Sequence, residues 1–162
     1  MKYLVCAPVD PDFEKKIKNI RFMYDRNFVS EPVSLVVSVN DGDYGEMRNV
    51  LSQVERSVKG INAIKINLTE IELIDSLLVC YISENQKILR FKQSLFSKGN
   101  YFIHTEDEPF IPIINLFDNE YYDEIYELAI MECKNTEFFL RKIELFIEKD
   151  DRTMKKLGEF EI

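Results

Sequence analysis

Imidazole and thiol chemistry in this sequence is confined to one histidine, His104, and three cysteines, Cys6, Cys80 and Cys133. The cysteines are odd in number, widely spaced and set in apolar contexts. They read as reduced, buried thiols of a cytoplasmic protein. A zinc site needs about four soft or imidazole ligands, and no cysteine pair stands at ligand spacing. Carboxylates are plentiful, but no D-x-D-x-D-G loop is present, and Asp41-Gly42-Asp43 reads as a turn. Neither G-x-x-x-x-G-K nor G-x-G-x-x-G occurs, so Gly42 and Gly45 are turn residues and not a phosphate cradle. No metal and no cofactor are expected. A Ser-His-Asp or Cys-His mechanism would require His104 as its base. That residue sits in Tyr-Phe-Ile-His-Thr, beside Glu106, Asp107 and Glu108. It reads as a surface histidine among carboxylates, with a catalytic base or a pH sensor as the alternatives.

Two further segments carry a hydroxyl or an amide inside an apolar run. One is Glu31-Pro32-Val33-Ser34-Leu35-Val36, and the other is Pro112-Ile113-Ile114-Asn115-Leu116-Phe117. As plain sequence both are core strands that begin at a proline, where a missing N–H is best tolerated. The second also resembles the P-H-x-T-L motif of the two-histidine phosphoesterase superfamily, which includes the bacterial 2′-5′ RNA ligase-like cyclic phosphodiesterases. The first resembles that family's other copy, H-x-S/T-L. The resemblance extends to the order of strands and helices over essentially the whole chain. It implies an α+β, bilobal fold in which two βαββ-type lobes place antiparallel sheets about a central cleft, with helices outside. Residues 1–162 then form a single domain of two intertwined lobes.

In that family each motif contributes one histidine to general acid–base attack on a cyclic or 2′-5′ phosphodiester, and the Ser/Thr hydroxyl helps hold the phosphate. Here the histidine positions are Pro32 and Ile113, neither of which carries a proton. Ser34 retains the first hydroxyl, and Asn115 replaces the second with an amide. A positioned proton-transfer group contributes about 10²–10⁴-fold, so losing both leaves little of the family chemistry. The resemblance therefore implies a degenerate site with no catalytic residue. It binds a nucleotide, an RNA end or an oligonucleotide through Ser34 and Asn115, with His104 as a further candidate. A phosphodiesterase relying on Tyr81, Tyr101, His104 or a carboxylate is the third-ranked alternative.

Charge suggests a different class of function. From Tyr101 to Cys133 there are nine acidic residues and no Lys or Arg, in a chain of 162 residues with net charge −8. Such a surface does not bind nucleic acid non-specifically. With tyrosines interleaved it suits an immunity-type inhibitor of a basic protein partner, through Glu106, Asp107, Glu108, Asp118, Glu120, Tyr121, Tyr122 and Asp123. No apolar run approaches the roughly 20 residues of a membrane helix, so no membrane association is expected.

The elements that position these residues follow from hydrophobic period. Residues 2–7 predict a strand. Asp10-Pro11 opens a helix with Phe13, Ile17, Ile20 and Tyr24 inward. A strand over 33–39 and a loop at 40–43 precede a second helix with Tyr44, Met47, Leu51, Val54 and Val58 inward, stopped by Gly60. Strands are predicted over 61–74 and 77–82. Ser83 caps a third helix that carries Ile88, Phe91 and Leu95 and stops at Gly99. Strands over 101–104 and 110–117 flank the acidic loop. Asp118 caps a fourth helix with Tyr121, Ile125 and Leu128 inward. Strands over 138–148 and 157–162 end the chain.

Overall fold

The computed structural model describes residues 2–25, 31–40, 47–97, 108–151 and 153–162. His104, Glu106, Asp107, the strand expected over 101–104, the loop at 41–43, Tyr44 and Gly99 lie outside the described residues. Chain order is β1 (Lys2–Pro8), α1 (Pro11–Tyr24), β2 (Ser34–Asn40), α2 (Met47–Val58), β3 (Ile64–Ile74), β4 (Leu77–Ile82), α3 (Gln86–Ser97), β5 (Phe110–Asn115), α4 (Tyr122–Cys133), β6 (Glu137–Leu140), β7 (Lys142–Glu148) and β8 (Met154–Glu161). The strands form one eight-stranded sheet ordered β6-β3-β4-β5-β2-β1-β7-β8, and every pairing is antiparallel. The fold class is α+β.

The sheet divides into two four-stranded halves. Across the seam β2 and β5 share one register pair, Val36 with Phe110. Each half carries a helix pair on the same face. Phe13 of α1 meets Phe138 of β6, with ring centroids 5.4 Å apart. On the other half, Leu51 of α2 lies so close to Gly158 of β8 that a Cβ there would meet its Cδ1 at 2.5 Å. Gln53 of α2 donates to Leu95 O of α3. The core between sheet and helices is aliphatic, with Val5, Ile17, Leu35, Val54, Ile66, Leu78, Phe91, Ile111, Ile125 and Leu145 each almost fully buried. Among the described residues the opposite face carries no helix.

Local chemistry explains most element boundaries. Asp10 Oδ2 accepts from Asp12 N at 3.1 Å and Pro11 occupies the first turn of α1, as the sequence predicts. Gly60, at φ +80°, ends α2. Four expectations need correction. The inward stripe of α2 is Val50, Val54 and Val58 with Gln53 and Ser57, while Met47 is exposed. Asn85 caps α3 in place of Ser83, its Oδ1 accepting from Lys87 N and Ile88 N. Asp118 does not cap α4. It adopts a left-handed turn at φ +52°, Asn119 Oδ1 accepts from Tyr121 N, and Tyr121 stays exposed. The strand expected over 138–148 breaks at Arg141. Its first part pairs with β3 and its second with β1. One residue thus separates two strands that lie near opposite ends of the sheet order, so the sheet must curl until those ends meet.

Candidate functional site

Register alone builds a continuous row across the helix-free face. Tyr81 pairs with Phe110, Phe110 with Val36, Val36 with Cys6, Cys6 with Glu144 and Glu144 with Glu159. Paired residues point to the same face, so these six side chains run across six strands. The next row contains Val79 paired with Pro112, and Ser34 paired with Pro8. The two motif segments therefore lie side by side at the seam of the sheet.

A buried cation holds that seam. Arg21, on the inward face of α1, donates Nε to Ile113 O at 2.7 Å. Its terminal nitrogens donate to Pro112 O at 2.8 Å and to Glu31 O at 2.7 Å. The guanidinium fork satisfies carbonyls of both segments at once. Burial pulls the guanidinium down to about 10, with Glu31, Glu14 and Asp25 opposing, so it is charged at neutral pH. The sequence signal for Arg21 was available: it stands four residues after Ile17, on the apolar stripe of α1.

The predicted site residues have distinct placements. Pro32 is exposed just before β2. Ile113 is fully buried at an irregularity in the β4–β5 register, where Leu78 and Val79 face Ile114 and Pro112. Ser34 is 5% exposed, and its Oγ has no hydrogen-bond partner. Asn115 is exposed, and its Oδ1 accepts from Phe117 N at 2.9 Å. It lies beyond Ser34 along the seam by roughly two to three residue spacings, on the order of 7–10 Å. Asn115 instead lines a cavity of about 540 Å³ with Tyr24, Asp25, Asp118, Glu120 and Tyr121. Tyr24 and Tyr121 rings stand 5.8 Å apart there. Of the other surface candidates, Glu108 lines a separate cavity beside Ile88, and Tyr122 stacks on Tyr126 while Asp123 occupies the first turn of α4.

Sequence reading missed the charged end of the row. Lys156 bridges Glu144 at 2.8 Å and Glu159 at 2.9 Å, and Lys142 bridges Glu159 at 2.9 Å and Glu161 at 3.7 Å. The hydrogen bonds from Lys142 and Lys156 hold the Glu159 carboxyl down to about 2. Cys6 lies between this network and Val36. Burial, reinforced by Glu144, pushes its thiol up to about 12, so it is neutral near pH 7. Cys133 is also driven upward, by its hydrogen bond with Cys80 and by burial. Among the described residues no group of three or more His, Cys, Asp or Glu is placed to hold a metal ion. None of the described helices is long and apolar enough to cross a membrane.

This architecture, with the two segments on adjacent strands at the seam, is the fold of solved phosphoesterase and LigT structures. TT0787 of Thermus thermophilus superposes with a TM-score of 0.68 and 11% identity, covering 99% of this chain and 97% of that one. E. coli LigT complexed with NADP+ gives 0.67 and 10%, over 99% and 97%. LigT complexed with 3′-AMP gives 0.64 and 8%, over 99% and 96%. At such identities the likeness is one of fold. No family model and no curated protein matches the sequence.

Proposed function

We propose that the chain is a non-catalytic binder of a nucleotide or an RNA end, which it takes on the helix-free face of the sheet. The carrying observation is Ser34, a hydroxyl that is buried yet has no hydrogen-bond partner beside the seam. Burying a hydroxyl without a partner is destabilising, and a ligand that supplies one removes the penalty. In the adjoining row Phe110 pairs with Val36 and Tyr81 with Phe110, and base–aromatic stacking contributes about 1–3 kcal/mol per base. Structures of the same fold were solved with NADP+ and 3′-AMP, which supports a nucleotide as the ligand.

Among the described residues, the groups at the seam support binding without turnover. Pro32 and Ile113 offer no proton, Cys6 is held neutral, and Glu144 is committed to Lys156. General acid–base cleavage requires two groups whose protonation states differ at working pH. Calorimetric titration with 3′-AMP and NADP+ tests the binding. The expected result is saturable heat from the wild type that weakens in Ser34→Ala. No heat from either nucleotide overturns the reading.

A second reading rests on the cavity beside Asn115. It gathers Asp25, Asp118, Glu120 and Tyr121, and the neighbouring Phe117 is 76% exposed. Carboxylates around an aromatic surface suit a basic protein segment. In this reading Asp118→Asn combined with Glu120→Gln abolishes capture of such a partner and leaves nucleotide binding intact.

A further inference from the structure

We infer that Glu144 determines what the row from Tyr81 to Glu159 accepts: by holding Lys156 it leaves a surface for the base and sugar of a nucleoside, with no cation among the described residues of that row committed to a phosphate. The inference rests on the nucleotide reading above and specifies its ligand class.

Glu144 and Glu159 sit directly opposite each other on β7 and β8. Like charges in that relation repel, and Lys156 relieves the repulsion by bonding both. The Glu144 side chain is only 9% exposed, against 46% for Lys156. A buried carboxylate that loses the ammonium bonded to it is strongly disfavoured, whereas an exposed ammonium gains little from a phosphate in water. Lys156 therefore stays with Glu144 when a phosphate approaches. Lys142 is engaged by Glu159 and Glu161 in the same way, and on the far half Lys65 is engaged by Glu137 at 3.3 Å. Three carboxylates against two ammoniums leave the Glu144 cluster with a net negative charge, which repels a phosphate further. Towards the seam the row turns apolar and aromatic, through Val36, Phe110 and Tyr81, with the Ser34 hydroxyl alongside. Those groups recognise a base and a ribose.

The test is calorimetry of the full chain with adenosine, 3′-AMP and inorganic phosphate. Adenosine and 3′-AMP should bind within about threefold of each other, and phosphate should give no heat. In Glu144→Gln, Lys156 keeps only exposed Glu159, and 3′-AMP should tighten about tenfold while adenosine is unchanged. The Glu144→Gln/Lys156→Met double variant removes the buried carboxylate together with the ammonium that pairs with it, so neither is left alone. It should bind both ligands as the wild type does. Wild-type preference for 3′-AMP over adenosine of about tenfold overturns the inference and leaves the nucleotide reading standing. So does a matching loss of 3′-AMP affinity in the double variant. Silence from adenosine and 3′-AMP alike overturns both.

Discussion

Arg21 Nε donates to Ile113 O across 2.7 Å, so a charged side chain of the first helix is bonded to the backbone of β5 at the seam of the sheet. The same guanidinium reaches Pro112 O and Glu31 O, which ties both motif segments to one rigid group. The seam they form has a single β2–β5 register pair, so it depends on this clamp more than on its own ladder.

Replacing the clamp should therefore loosen the two halves. Hydrogen bonds from a charged donor contribute about 1.5–3 kcal/mol each, and buried carbonyls left without donors add to the loss. Arg21→Met should lower unfolding free energy by about 3 kcal/mol in urea titrations. Arg21→Lys should recover only part of it, since an ammonium cannot span three carbonyls with a planar fork. Equal stability of Arg21→Met and wild type would remove the clamp from the account.

Ser34→Ala should move stability and binding in opposite directions. The hydroxyl is buried without a partner, so its removal should stabilise the free chain by about 1 kcal/mol and raise Tm. The same change should weaken 3′-AMP by about fivefold, because a hydrogen bond formed only in the complex is lost. A purely structural serine would lower Tm when truncated and leave any binding unchanged.

Placing histidines at Pro32 and Ile113 should not create an enzyme. Pro32 is exposed, so Pro32→His should fold normally. Ile113 is fully buried, so Ile113→His should destabilise by about 3 kcal/mol, because a polar ring would replace an aliphatic side chain in the core. The double variant should show no hydrolysis of 2′,3′-cyclic AMP above the protein-free rate.

Cys6 gives the chain an alkaline weakness. Its thiol lies at about 12 when folded, against 9.0 for an ordinary thiol, because burial and Glu144 disfavour the thiolate. The raised value means that its contribution is fully present below about 9 and is lost as pH rises from there towards about 12. Urea midpoints measured at pH 8 and pH 10.5 should fall more for the wild type than for Cys6→Ala. In the folded chain at pH 8 a disulfide reagent should react slowly with the thiols, and denaturant should expose all three.

Legibility in the sequence tracked locality. Strands such as Ser34–Asn40 and Leu77–Ile82 were readable because β-branched and aliphatic runs leave few alternatives. Asp10-Pro11 announced its helix through two residues with one job each. Asp118 misled because a carboxylate before an apolar stripe looks like a cap, whereas here the side chain of the following Asn119 bonds the backbone first and Asp118 takes the left-handed turn. The break at Arg141 was missed although the alternation changes phase there, from Phe138 and Leu140 inward to Ile143, Leu145 and Ile147 inward, as the two parts join different strands. In the candidate site, Ser34 could be found from a motif frame. The row from Tyr81 to Glu159 could not, because it draws one residue from each of six strands and exists only through register.

The most direct test of binding without turnover is a single proton NMR experiment on the full chain with 2′,3′-cyclic AMP. Saturation transferred from the protein to the adenine protons reports binding, and new ribose signals report ring opening. The expected result is saturation transfer to the adenine and no product signal above a protein-free sample. Accumulating 2′- or 3′-AMP would contradict it, because an active acid–base pair would then exist where Pro32 and Ile113 supply none.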